Sequence, residues 1–259
     1  MNMRRIFSLI LSILLALLAL YVLSETIRIE HYIAIGNKLK EEMRPYEQQP
    51  INASMHILVV GDSTGYGTGA SSPEHSLAGL LGKKYPLAAI TNVSVNGAKT
   101  ADVIDQLKNV EGTFDLIMIH AGGNDAVHFT PTAQLRSSLH SVIDLALTKG
   151  RYVLITSTGN VDTVPLFPWP TRFFFGLSSE KTRAVFLDVV STYQPNVRYT
   201  DLYRMRAEDL FATEPKTYYA ADHFHPSDLG YAYWFKLIAK ELDQFPLPKA
   251  ALSPPFASS

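Results

Sequence analysis

From residue 55 onward the chain alternates between short apolar runs and longer stretches whose apolar residues recur every three or four positions. The runs at 56–60, 89–95, 114–120, 152–156 and 197–200 have the length and continuity of strands covered on both faces. Helices are predicted near 76–84, 100–108, 132–147, 179–193 and 227–242. The third is the clearest. Leu135, Leu139, Val142, Ile143, Ala146 and Leu147 form one stripe behind Thr130-Pro131, a proline placed where helices begin. Alternating strands and helices, with strands apolar throughout, predict an α/β fold: a parallel sheet between two helical layers.

The N-terminal segment follows neither pattern. Behind Arg4 and Arg5, residues 6–23 (IFSLILSILLALLALYVL) are apolar apart from Ser8 and Ser12. At about 1.5 Å per residue such a helix spans roughly 27 Å, close to the hydrocarbon thickness of a bilayer. A cleavable signal has a core of about 7–15 residues and a small-x-small exit, which Val22-Leu23-Ser24 matches poorly. The expectation is a retained transmembrane helix, with secretion after signal cleavage as the alternative. Arg4 and Arg5 favour a cytoplasmic N-terminus and a folded domain outside the cytoplasm, against a weaker pull from Arg28, Lys38, Lys40 and Arg44. Residues 24–44 read as helical, and the polar, proline-flanked stretch at 45–50 breaks the pattern. The expected division is an anchor at 1–24, a helical stalk and linker at 25–50, a folded domain at 51–245 and a Pro/Ser-rich tail at 246–259.

Composition narrows the chemistry. A net charge of −1 with no long basic run argues against a nucleic-acid partner. The absence of cysteine excludes disulfides, thiolate metal sites and a cysteine nucleophile. With 47% hydrophobic and 18% charged residues, the chain can bury a sizeable core. It carries no internal repeat, and neither its loops nor its composition indicates an oligomeric state.

Four short blocks carry candidate chemistry. Gly61-Asp62-Ser63-Thr64 follows the first strand and presents a serine just past its C-terminal end, where open α/β sheets place reactive groups. A serine hydroxyl becomes a useful nucleophile only with a base in hydrogen-bond reach. Asp222-x-x-His225 offers one, because a three-residue separation in a turn lets the carboxylate meet the imidazole and hold one tautomer. Asn96-Gly97 and Gly122-Gly123-Asn124-Asp125 also follow apolar runs, which puts all of them at one edge of the sheet.

In this order the four blocks resemble those of the SGNH (GDSL-type) hydrolases, a family of serine esterases and lipases. The resemblance spans roughly residues 55–240 and departs at Thr64, where the name-giving motif has leucine. It implies a flavodoxin-like, five-stranded three-layer sandwich. It further implies Ser63 as nucleophile, His225 as base and Asp222 as its orienting partner. The oxyanion hole would come from the N–H groups of Ser63 and Gly97 and the side-chain amide of Asn124. The implied substrate is an acyl ester of a lipid, an acetylated sugar or a small alcohol, with no cofactor and no metal. The same machinery serves an acyltransferase or deacetylase acting on envelope polysaccharide or lipid, and a non-catalytic anchored binding domain could keep the fold.

Other readings of these letters are weaker. Gly65 to Ala70 fits a loose dinucleotide fingerprint, but Ser71-Ser72-Pro73 interrupts the helix it needs. Asp222, His223, His225 and Asp228 could be metal ligands, which would leave the Ser63 block without a role. Asp62 and Asp125 are expected to satisfy backbone N–H groups beside strand-end turns. His120 and His128 read as core or loop histidines, and Pro226 favours His225 over His223 as base. The stretch 164–177 (VPLFPWPTRFFFGL) reads as too broken for a regular element. Its aromatics either fold into the core or form a pocket wall or lipid-touching surface.

Overall fold

The computed structural model describes residues 3–247; the tail expected at 246–259 lies outside them except for its first two residues. Five strands, β1 (Met55–Gly61), β2 (Ala88–Asn92), β3 (Phe114–His120), β4 (Gly150–Thr156) and β5 (Val197–Thr200), pair in parallel in the order β2-β1-β3-β4-β5. Because strand side chains alternate, each strand feeds two cores. Ile57, Val59, Ile90, Leu116, Met118 and Leu154 face one layer, while Leu58, Val60, Ile117, Ile119, Val153 and Ile155 face the other.

The helices follow in chain order: α1 (Met3–Glu42), α2 (Ser63–Tyr66), α3 (Leu77–Lys84), α4 (Val103–Lys108), α5 (Gly123–Val127), α6 (Thr132–Lys149), α7 (Arg172–Ser191), α8 (Leu210–Thr213), α9 (Pro215–Tyr218) and α10 (Asp228–Leu242). Apolar positions of α3 and α10 cover the first sheet face, and those of α4, α6 and α7 cover the second. This is the three-layer α/β sandwich that the strand and helix periodicities predict.

The strand expected at 89–95 ends at Asn92, the helix expected from 100 opens with a 3-10 turn before α4, and two elements differ more widely. The helix expected from residue 179 begins at Arg172, inside the stretch read as irregular. The last helix-breaking proline is Pro170, and nothing from Arg172 onward opposes a helix once Phe175 and Val185 find a core. At the N-terminus, α1 is a single 40-residue helix that runs through the expected border between anchor and stalk. Its first half contains a stretch long and apolar enough to cross a membrane, and its apolar side chains there are exposed. Its second half docks on the folded domain: Ile29 and Tyr32 pack against the core, and Gly36 is buried.

Candidate active site

The site begins where β1 ends. Gly61 has φ +135°, and a Cβ there would lie 1.9 Å from the His120 carbonyl oxygen, so only glycine lets β1 turn away this close to β3. The turn starts α2. Asp62 caps this one-turn helix, its carboxylate accepting the Thr64 N–H at 2.8 Å, and Ser63 is the first helical residue. The loops after β1 and β3 leave the sheet where strand order reverses, which opens a crevice between them.

Asp222 and His225 reach this crevice from the loop before α10. The Asp222 Oδ1 accepts the backbone N–H groups of Phe224 and His225, each at 3.0 Å. The Oδ2 faces His225 Nδ1 at 2.5 Å, and His225 Nε2 lies 3.0 Å from Ser63 Oγ. Ser227 then caps α10 through the Gly230 N–H and donates its hydroxyl to Thr217 O, fixing the chain two residues beyond the histidine. All three side chains are buried. Burial alone would push the Asp222 carboxyl up, but the His225 ring and the two backbone donors outweigh it and hold the group below its ordinary value. Asp222 is thus an anion placed to keep the second imidazole nitrogen turned toward the serine.

The other sequence-predicted residues share one cavity with Ser63. Ser63, Gly97, Asn124, Asp222 and His225 all line a cavity of about 240 Å³. The Ser63 N–H opens α2, where the first donors have no intrahelical acceptor. Gly97 sits in the turn after β2, tied down by the Val95 N–H donating to Gly61 O and by a Thr68–Asn96 side-chain bond. Asn124 donates one amide hydrogen to Ala98 O at 2.9 Å, which orients the amide and leaves its second hydrogen for another acceptor. A recess of about 50 Å³ continues inward from Ser63 and is walled by Val127, Val161, Val164, Phe224 and Trp234. A larger cavity of about 510 Å³ lies beside the Asn96-Gly97 turn and touches none of Ser63, Asp222 or His225.

Residues given supporting roles make contacts of their own. Asp125 is buried and accepts both the N–H and the hydroxyl of Thr100. Burial raises the Asp62 carboxyl to about 7 against the Thr64 hydrogen bond. His120 is enclosed behind the sheet edge, paired through Nδ1 with Thr156 Oγ1, and burial lowers it to about 3. His223 stacks on Tyr32, while Asp228 turns toward Ser71 and His75, so the four residues of the metal alternative do not converge.

One wall of the site had no counterpart in the reading of motifs. Tyr32, Ile33, Gly36, Asn37 and Lys40 of α1 line the 240 Å³ cavity beside Leu166 and Phe167. A signal was present in the sequence: Ile29, Tyr32, Gly36, Leu39 and Met43 fall at three- and four-residue spacing, the stripe of a helix that docks.

The sequence model described as the GDSL-like Lipase/Acylhydrolase family matches residues 59–233. No curated protein matches the chain. Among solved structures, a member of the lipolytic G-D-S-L family from Veillonella parvula is 19% identical and aligns over 74% of this chain and 100% of its own, at TM-score 0.59. An extracellular lipase from Streptomyces rimosus is 16% identical over 73% of this chain and 100% of its own, at TM-score 0.55. A salicylyl-acyltransferase from a tetracycline biosynthetic pathway is 15% identical over 76% of this chain but only 56% of its own, at TM-score 0.56. At these identities the likeness is one of fold.

Proposed function

The chain belongs to the GDSL-like lipase/acylhydrolase family, and on that premise we propose that it is a membrane-anchored serine ester hydrolase working through an acyl-enzyme on Ser63. The observation that carries this is the unbroken contact from Asp222 through His225 to Ser63, at 2.5 and 3.0 Å. His225 Nε2 takes the hydroxyl proton as Ser63 Oγ attacks the ester carbonyl, and Asp222 stabilises the imidazolium that forms. The carbonyl oxygen becomes an oxyanion facing the N–H groups of Ser63 and Gly97 and the free amide hydrogen of Asn124. His225 returns the proton to the leaving alcohol, then activates a water that releases the acid.

The 50 Å³ recess behind Ser63 suits an acyl group of a few heavy atoms, with the alcohol part in the outer cavity beside α1. The apolar stretch of α1 is the anchor, and the paired arginines before it favour a domain outside the cytoplasm.

A fluorophosphonate probe on the full-length protein tests the reading. Labelling should map to Ser63, disappear in Ser63→Ala and in His225→Ala, and track loss of acetyl-ester hydrolysis by a factor on the order of 10⁴–10⁶. A folded Ser63→Ala protein with undiminished hydrolysis would overturn it. Acyl transfer to an alcohol uses the same intermediate, and a salicylyl-acyltransferase shares the fold. Free acid released without an added acceptor distinguishes hydrolysis from transfer.

A further inference from the structure

Along its apolar stretch α1 is bare, yet one loop of the folded domain reaches it. Tyr21, two residues before the end of the stretch 6–23, donates its hydroxyl to the Trp169 carbonyl at 2.5 Å. Two turns further on, Arg28 donates to the carbonyls of Pro165 and Leu166 at 3.2 and 2.9 Å. One turn beyond, Tyr32 stacks on His223 with ring centroids 4.1 Å apart. The segment 165–169 is therefore laid along α1 and points toward the apolar stretch. At 1.5 Å per residue, Trp169 sits level with a point about 3 Å inside its end.

Trp169 and the start of α7 that follows it expose large aromatic side chains. Trp169 is 78% exposed, Phe173 64% and Phe174 58%, with Phe129 and Leu177 beside them. Phe129, Phe174 and Leu177 border a groove of about 450 Å³ that also holds Lys181. A cluster of exposed large aromatic side chains marks an interaction surface, and aromatic rings beside a membrane span favour the headgroup level.

We propose that Trp169, Phe173 and Phe174 form a membrane-contact surface that enters the same leaflet through which α1 emerges. The inference rests on reading α1 as an anchor, and continuity with that helix selects lipid as the partner. Two attachments, the helix and the aromatic cluster, then hold the domain in one orientation. Lys181 lies at the rim, where lipid phosphates are within reach. The patch also connects inward. Phe129 stacks on Phe175, Phe175 on Phe167, Phe167 meets Phe224 edge-on, and Phe224 contacts the His225 ring, with centroids 5.4, 4.0, 6.0 and 4.9 Å apart. This aromatic file gives an ester partitioned at the interface an apolar approach to Ser63.

Because the chain has no cysteine, a single introduced one is a unique labelling site. Full-length Phe173→Cys, carrying an environment-sensitive fluorophore, is reconstituted into phosphatidylcholine vesicles. The control is Ser191→Cys at the exposed far end of α7, about 27 Å along that helix. The expected result is co-flotation of both proteins with the vesicles. A blue-shifted emission quenched by brominated lipid is expected at position 173 and absent at 191. Co-flotation with position 173 unquenched overturns the docking surface but leaves the anchor standing. Failure to float removes the anchor and this inference with it. Doubly substituted Phe173→Ser/Phe174→Ser should keep its turnover of a water-soluble acetyl ester and lose about tenfold on hexadecyl acetate in vesicles, the effect of roughly 1.4 kcal/mol. An equal relative change on both substrates, or none on either, would overturn the proposed role of the patch in substrate access.

Discussion

Gly36 of α1 lies directly against Asp222: a Cβ at position 36 would come within 3.1 Å of Oδ2, the carboxylate oxygen that faces His225. The helix that leads out of the apolar stretch thus presses on the group that orients the imidazole. A methyl group needs a shift of only a few tenths of an ångström, so Gly36→Ala should be nearly silent and gains helix propensity of about 1 kcal/mol. A branched side chain cannot be accommodated that way. Gly36→Val is expected to slow hydrolysis and fluorophosphonate labelling together in a folded protein, bounded by the roughly 10⁴-fold cost of losing such a carboxylate's function. Unchanged rates would show that α1 does not sit on the site in solution.

The proposed oxyanion role of Asn124 predicts a loss in transition-state binding rather than in substrate binding. Its side chain lines the cavity, with one amide hydrogen fixed on Ala98 O. Asn124→Ala should lower kcat by about 10²–10³ with little change in KM. Steady-state kinetics on a soluble acetyl ester measures both, and a loss below tenfold would remove Asn124 from the oxyanion hole.

Asp125 is structural in this geometry. Its Oδ2 accepts the Thr100 N–H at 2.9 Å and the Thr100 hydroxyl at 2.7 Å, tying the loop after Gly97 to the start of α5. Asp125→Ala strands two buried donors and should cost about 1–3 kcal/mol of stability. Thermal unfolding checks this, and Thr100→Val should show a smaller loss in the same direction.

Two buried groups give opposite pH dependences. His120 falls from 6.5 to about 3 on folding, so the folded state binds fewer protons than the unfolded chain between those values. Its contribution is intact above pH 6.5 and is lost as the pH drops toward 3. Asp62 rises from 3.8 to about 7, so its contribution is intact below pH 3.8 and is lost as the pH climbs to 7. Asp62→Asn keeps an acceptor for the Thr64 N–H and removes the second effect. Relative to the parent, its denaturant midpoint should improve steadily from pH 4 to pH 7. A constant difference across that range would contradict the burial effect on Asp62.

The α/β architecture was legible because strand identity here is local. Continuous apolar stretches such as 116–119 and 152–155 can be satisfied only by burial on both faces, and their spacing by helices leaves a parallel sheet as the outcome. The Asp222-His225 spacing was equally local, since two residues in one turn have few ways to face each other. The start of α7 was not legible: Phe173 to Phe175 have no strong local preference, and which of them is buried is decided by neighbours distant in sequence. Phe175 stacks on Phe167 and Phe129, whereas Phe173 and Phe174 pair only with each other among the described aromatic rings and stay exposed.

The order of the chemical blocks, the apolar length of 6–23 and the docking stripe of α1 were all written in the chain. A periodic stripe states that a face must be covered, but not by what. Only the packed molecule brings Gly36 against Asp222 and Tyr21 against Trp169, because these contacts join segments far apart in sequence. Their geometry follows from how the helical layers close over the sheet.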